Sequence, residues 1–283
     1  RVEFVWPLEG PRGGVDVRLN SVLAGQWTEP DKANVTLDGV LDSGDVNALL
    51  RLVAAERVVS VPKQPGTITF SMKGALAGDV AIDTRIVSAN LDMRANGTVR
   101  PLGPEAGQGS MDVTIGTADV VLPGAAAAIP VALKTRLVRD GSGMRLDDMS
   151  ATIAGSTVRG RLGLVFSDPF GIDGELRTDR VDLAAVAATA FGAKRAAKSD
   201  ALWSETPFAV PALPKLSGRV NVSAAQAALT PSLQASKFRS MLRFDDAQLV
   251  VENIAGEVLG GQVSGEITIR RAPDAIGLQG RIA

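Results

Sequence analysis

The chain is predicted to be mainly β: repeated antiparallel hairpins in an elongated curved sheet, a trough or half-barrel, with two or three short amphipathic helices. Three observations carry that prediction. First, residues 140–164 align without a gap on residues 245–269. Identity is confined to Asp140/Asp245, Gly155/Gly260, Val158/Val263 and Gly160/Gly265, yet the apolar positions coincide throughout, from Met144/Leu249 and Leu146/Val251 to Leu162/Ile267 and Leu164/Ile269. Second, apolar and polar residues alternate strictly in many short runs, the period of a strand with one buried face. Third, Gly, Pro, Asn and Asp separate these runs at short intervals, which favours hairpins over βαβ crossovers.

Taken along the chain, the alternation begins at Val15/Val17/Leu19 and continues through Val35/Leu37, Ile68/Phe70/Met72, Val80/Ile82, Leu91/Met93 and Val113/Ile115. It resumes at Leu162/Leu164/Phe166, Ile172/Gly174/Leu176, Leu242/Phe244, Leu249/Val251 and Ile267/Ile269. Helical period replaces it near 45–56, where Asp45 is a plausible cap and Leu49, Leu52 and Val53 are apolar, and near 182–191, closed by Gly192. Leu37-Asp38-Gly39 with Leu41 before the first helix matches Ile172-Asp173-Gly174 with Leu176 before the second, so the expected unit is strands, a helix, then strands. Polar residues and Pro207, Pro211 and Pro214 mark 193–215 as a linker or surface loop. The expected organisation is a repeat region over 1–192, the connection 193–215, and a further β repeat over 216–283.

Composition narrows the function. Hydrophobic residues make up 45% and charged residues 22%, ordinary for a folded chain, while aromatics at 4% require an aliphatic core. A net charge of −1 without a basic block gives no electrostatic footprint for nucleic acid. With neither Cys nor His there is no Ser-His or Cys-His nucleophile, no thiolate chemistry and no imidazole metal ligand. The chain opens on the apolar Val2, Phe4, Val5 and Trp6 and closes on what reads as the middle of a strand, so it is expected to be a piece of a longer protein.

Candidate catalytic groups are few. Asp147-Asp148 and Asp245-Asp246 are the carboxylate pairs suited in principle to glycoside hydrolysis or Ca²⁺, but acids at strand ends are expected to be turn formers. Ser60-Val-Pro-Lys63 fits Ser-x-x-Lys only formally, because Pro62 and Pro65 forbid the helix that nucleophile requires. Trp6, Trp27 and Trp203 are expected to pack in the core, with a groove cap or an interface contact as the alternative for Trp203 beside its Pro-rich segments. No catalytic residue, metal ligand or cofactor site is expected, and the chain is read as non-enzymatic.

The carboxy-terminal third, Leu216-Ser-Gly-Arg-Val-Asn-Val, then Leu242-Arg-Phe-Asp-Asp-Ala-Gln-Leu-Val-Val, then Gly260-Gly-Gln-Val-Ser-Gly-Glu-Ile, resembles the carboxy-terminal region of the AsmA family of bacterial envelope proteins, relatives of TamB and of the repeating β-groove lipid-transfer proteins. The resemblance covers about residues 200–283 well and 130–192 more loosely. It implies a periplasmic, inner-membrane-anchored protein of a Gram-negative bacterium that serves outer-membrane lipid homeostasis, with phospholipid acyl chains held in a trough. The alternative is a scaffold that assists outer-membrane protein assembly through exposed strand edges.

The residues themselves point the same way. A one-faced sheet with few helices must close on itself, pack a second sheet, or hold acyl chains. Gly160 and Gly265 share the parity of their apolar neighbours, so each marks a dent or bend that either shapes a groove or turns a packed corner. The candidate apolar groove comprises Val158, Gly160, Leu162, Leu164, Ile172, Leu176, Val263, Gly265, Ile267 and Ile269.

Overall fold

Alternating residues place side chains on opposite faces of a strand, and among the described residues that pattern yields sixteen strands and one helix. The structure, a computed structural model, describes residues 2–12, 14–26, 29–52, 61–120, 128–141, 143–182, 216–230, 233–245, 247–271 and 276–283. The strands are β1 (Val2–Arg12), β2 (Val15–Gln26), β3 (Glu29–Ser43), β4 (Gly66–Ala75), β5 (Val80–Ser88), β6 (Leu91–Val99), β7 (Gly109–Val120) and β8 (Ile129–Asp140). They continue as β9 (Gly143–Ile153), β10 (Ser156–Val165), β11 (Phe170–Asp182), β12 (Leu216–Thr230), β13 (Leu233–Phe244), β14 (Gln248–Val258), β15 (Gly261–Arg271) and β16 (Ile276–Ile282). Hydrogen-bonded neighbours follow chain order from β1 to β16. The mainly β class and its repeated antiparallel hairpins are therefore as expected.

The chain forms two compact units, residues 1–121 with 128–147, and 122–127 with 148–283. In the first, opposed residues share a face, and one row runs Val17, Leu41, Ile68, Ile86, Met93, Ile115 and Leu133 across seven strands. Ile68 and Ile86 are almost fully buried, and with Val15, Leu91 and Ala118 they form this unit's core.

Helix α1 (Val46–Leu52) closes one end of that face. Seven residues are too few for an independent helix, so packing must hold it. Val46, Leu49 and Leu50 are completely buried. The lack of a side chain at Gly66 lets α1 settle there, since a Cβ would lie 2.8 Å from Val46 Cγ2. Asp45 caps the helix by accepting the Asn47 N–H at 3.0 Å, and the Asn47 side chain in turn donates to the Val61 carbonyl at 2.9 Å. The buried stripe differs from the expected one: Leu52 is 61% exposed, because the i, i+3, i+4 set facing the sheet starts at Val46. Val53 lies outside the described residues, as does the remainder of the expected helix beyond Leu52.

In the second unit the meander has one exception. β11 pairs with β10 antiparallel but with β12 parallel, from Phe170 opposite Leu216 to Asp182 opposite Ala228. A parallel pair needs a long crossover rather than a tight turn, and residues 183–215 stand between the two strands. The expected helix near 182–191 meets the structure only at Asp182, which ends β11; its remaining residues, and the connection 193–215, lie outside the described residues.

Candidate functional site: one apolar face

The ten candidate groove residues all fall in the second unit and share a face. Along β10 the face carries Val158, Gly160, Leu162 and Leu164; along β15 it carries Val263, Gly265, Ile267 and Ile269. The strands between them complete the rows. Leu164 stands opposite Ile172, then Gly218, Phe244, Leu249, Ile269 and Leu278. The next row runs Leu162, Gly174, Val220, Leu242, Val251, Ile267 and Gly280. A third begins Gly160, Leu176, Val222 and Ser240, and the β14–β16 end of the face continues with Ile254, Gly265 and Ile282.

Ile269, Leu249, Val251 and Val220 are buried, whereas Val158, Leu162, Val263 and Ile267 are half-buried, as are Leu164, Ile172 and Leu176. Large side chains shield one another along the rows. Exposure rises at β16, to 63% at Leu278 and 61% at Ile282. No helix stands among the described residues of this unit.

Gly160 and Gly265 act through close approach. A side chain at Gly160 would collide with the Glu175 carbonyl, and one at Gly265 with the Arg281 carbonyl. At each position the neighbouring strand's backbone occupies the space a Cβ would need.

Residues the sequence reading passed over fill the rest of the face. Phe238, 1% exposed, sits opposite Ala224 and packs with Ala227, Ala235 and Ile254. Alternation through Phe238, Ser240, Leu242 and Phe244 carried a signal for Phe238; the alanines, weak strand formers, gave none. The first unit holds a comparable strip beyond α1, with Leu37, Met72, Ile82, Gly97, Met111 and Leu137 in one half-buried row.

The opposite faces are charged. Arg161 pairs with Glu175 at 3.2 Å, Arg243 with Glu252 at 2.8 Å and Lys237 with Glu257 at 2.8 Å in the second unit. In the first, the Thr67 hydroxyl donates to Asp42 at 2.6 Å and Arg18 approaches at 2.6 Å; together they hold the Asp42 carboxyl below its ordinary pKa. Arg85 does the same for Asp92. Exposed pairs of this kind contribute about 0–1 kcal/mol each, so they keep the face wet rather than hold the fold together.

Three of the four paired acids fall among the described residues. Asp147 and Asp148 lie inside β9 rather than at a strand end as expected, and Asp148 adopts φ 51°, a left-handed conformation that Asp tolerates better than most residues. Asp245 accepts the N–H groups of Ala247 and Gln248, each at 2.9 Å, in a turn. Burial opposes its ionisation, but those two donors, together with the Gln248 side chain and the nearby Arg243 charge, outweigh it and lower the pKa. Asp246, Ser60, Trp27 and Trp203 are outside the described residues, as is the side chain of Trp6. Among the described residues no three acidic, His or Cys side chains converge as a metal site.

What fold and site define is a class: a mainly β protein whose hairpins present one apolar and one charged face. No protein-family model, curated protein or solved structure matches the chain.

Proposed function

We propose that this chain is a periplasmic module of an AsmA-like envelope protein, anchored in the inner membrane by a segment elsewhere in the protein, that shields phospholipid acyl chains along its apolar β face for outer-membrane lipid homeostasis. The supporting observation is the set of apolar rows in the second unit, seven strands wide and half-buried at most positions. Apolar surface of this extent is stabilised by cover, and each methylene laid on it contributes about 0.8 kcal/mol. A hydrocarbon chain suits such a surface because it asks for no hydrogen bonds, and the charged opposite face stays in water. The work is binding and transfer, without covalent chemistry.

The purified chain, extracted with organic solvent and analysed by mass spectrometry, is expected to release phospholipid. Leu164→Asp places a charge on the apolar face at β10 and is expected to abolish lipid capture while circular dichroism still shows the β fold. A folded chain that releases no lipid overturns the proposal. Retained lipid with loss of an envelope-protein partner in that variant favours the scaffold alternative.

A further inference from the structure

The charged face of the second unit is unevenly compensated. In the first unit, arginines are answered by acids from the row beside them: Arg18 pairs with Asp42 at 2.6 Å and Arg85 with Asp92 at 3.1 Å. In the second unit Arg161, Arg243 and Lys237 are answered in the same way by Glu175, Glu252 and Glu257. One row differs. From β10 to β15 it runs Arg159, Arg177, Ser223, Arg239, Ala255 and Ser264, with no acid in it.

The acids nearest this row are engaged elsewhere. Glu175 is held by Arg161 and Glu257 by Lys237, while Asp179 accepts the N–H groups of Thr157 and Arg180 at 2.9 and 2.8 Å. Arg159, Arg177 and Arg239 are exposed, and among the described residues none of them makes an ion pair. Arg159 and Arg177 stand directly opposite each other on β10 and β11, where like charges destabilise a sheet. The hairpin does not demand that charge, since Ser264 stands at the position of Arg159 in the aligned copy.

We infer that this row binds a phosphate group, seated over Ser223 between Arg177 and Arg239 and reinforced by Arg159. Neighbouring strands lie about 5 Å apart, so Arg177 and Arg239 arise about 10 Å apart with Ser223 between them. Both side chains are long enough to bring their guanidinium groups together above Ser223, and Arg159 adds a third fork from the β10 side. The Ser223 hydroxyl makes no hydrogen bond among the described residues and supplies a donor beneath. Guanidinium forks match pairs of phosphate oxygens. A carboxylate offers two oxygens and leaves a fork unused, whereas a phosphomonoester offers three and carries the charge that offsets the opposed arginines. The row lies on the face opposite the apolar one, so the site does not rest on the acyl-chain reading. The same group occurs on soluble phosphate esters and on lipid headgroups, two sources that experiment separates.

Calorimetric titration of the full chain with inorganic phosphate at low salt, set against sodium chloride of equal ionic strength, tests this. Phosphate is expected to bind and to raise the thermal midpoint, and chloride to do neither. Arg177→Gln and Arg239→Gln are each expected to weaken phosphate binding about tenfold with circular dichroism unchanged. Arg270→Gln removes the same charge from the same face, on β15 and away from the row, and is expected to leave binding unchanged. Flotation with phosphatidylcholine vesicles containing phosphatidic acid, whose headgroup is a phosphomonoester, then identifies the source. Capture of the native chain that is lost in Arg177→Gln assigns the group to a lipid; phosphate binding with no capture, or with capture that Arg177→Gln retains, assigns it to a soluble ester. The inference is overturned if the native chain binds no phosphate or if Arg177→Gln and Arg239→Gln bind it as well as the native chain does. An equal loss in Arg270→Gln also overturns it, because the effect is then the general charge of the face.

Discussion

The hairpin β9–β10 and its counterpart β14–β15 share few residues but much of their backbone. Ala154 and Gly155 turn the first with φ 49° and 82°; Leu259 and Gly260 turn the second with φ 50° and 84°. Within the preceding strand, Asp148 at φ 51° corresponds to Asn253 at φ 53°, where the β14–β15 register shifts between Val251 and Ile254. The residues after these left-handed positions, Met149 and Ile254, are both buried. The shared property is thus a conformation: one left-handed residue within the strand, coinciding in β14 with a register shift, is followed by a buried apolar side chain. Asp and Asn are interchangeable there because both tolerate left-handed backbone.

The copies diverge in how each handles a buried hydroxyl. Thr135 of β8 corresponds to Ser240 of β13, and both are buried. Thr135 Oγ1 donates to the Asp147 carbonyl at 2.9 Å, whereas Ser240 Oγ has no partner among the described residues. Two residues earlier in each strand, half-buried Leu133 corresponds to Phe238, which is 1% exposed. The second copy concentrates its packing on one ring and tolerates an unsatisfied group beside it.

These contrasts set the order of expected effects. Phe238→Ala is the most damaging, costing about 3–5 kcal/mol, while Leu133→Ala falls near the lower end of about 2–5 kcal/mol; urea unfolding of both variants measures the gap. Equal losses would show that the copies share their packing evenly. Asn253→Val is expected to cost about 1–2 kcal/mol through left-handed strain, and Asn253→Gly close to nothing, with the same ranking at Asp148. If Val and Gly prove equivalent in thermal unfolding, the bulge is not a constraint common to both copies. The smallest effects come from the hydroxyls. Thr135→Val is expected to lose about 1 kcal/mol, and Ser240→Ala to be neutral or stabilising, because it removes a buried group that forms no bond. A loss at Ser240→Ala matching that at Thr135→Val would mean both hydroxyls are satisfied.

Much of this was legible in the chain. Alternation identified one face: parity groups Val158, Gly160, Leu162 and Leu164 along β10, and Val263, Gly265, Ile267 and Ile269 along β15, because residues two apart on a strand share a face. The equivalence of Asp148 and Asn253 was present in the same alignment but is invisible as identity, since it is expressed in φ. Alanine-rich packing around Phe238 was illegible because Ala224, Ala227 and Ala235 carry no strand signal of their own. Helix α1 was legible in position through its cap at Asp45, but not in facing, which rests on Gly66 admitting Val46.

The amino-acid sequence by itself determined the strand period, the hairpin turns and the single apolar face, all of which are local consequences of side-chain alternation and turn chemistry. Strand partners and directions belong to the tertiary structure. That β11 takes β12 in parallel depends on which backbone groups find partners across long stretches of chain. No local pattern encodes that pairing, because the same alternation serves a parallel or an antiparallel neighbour equally well.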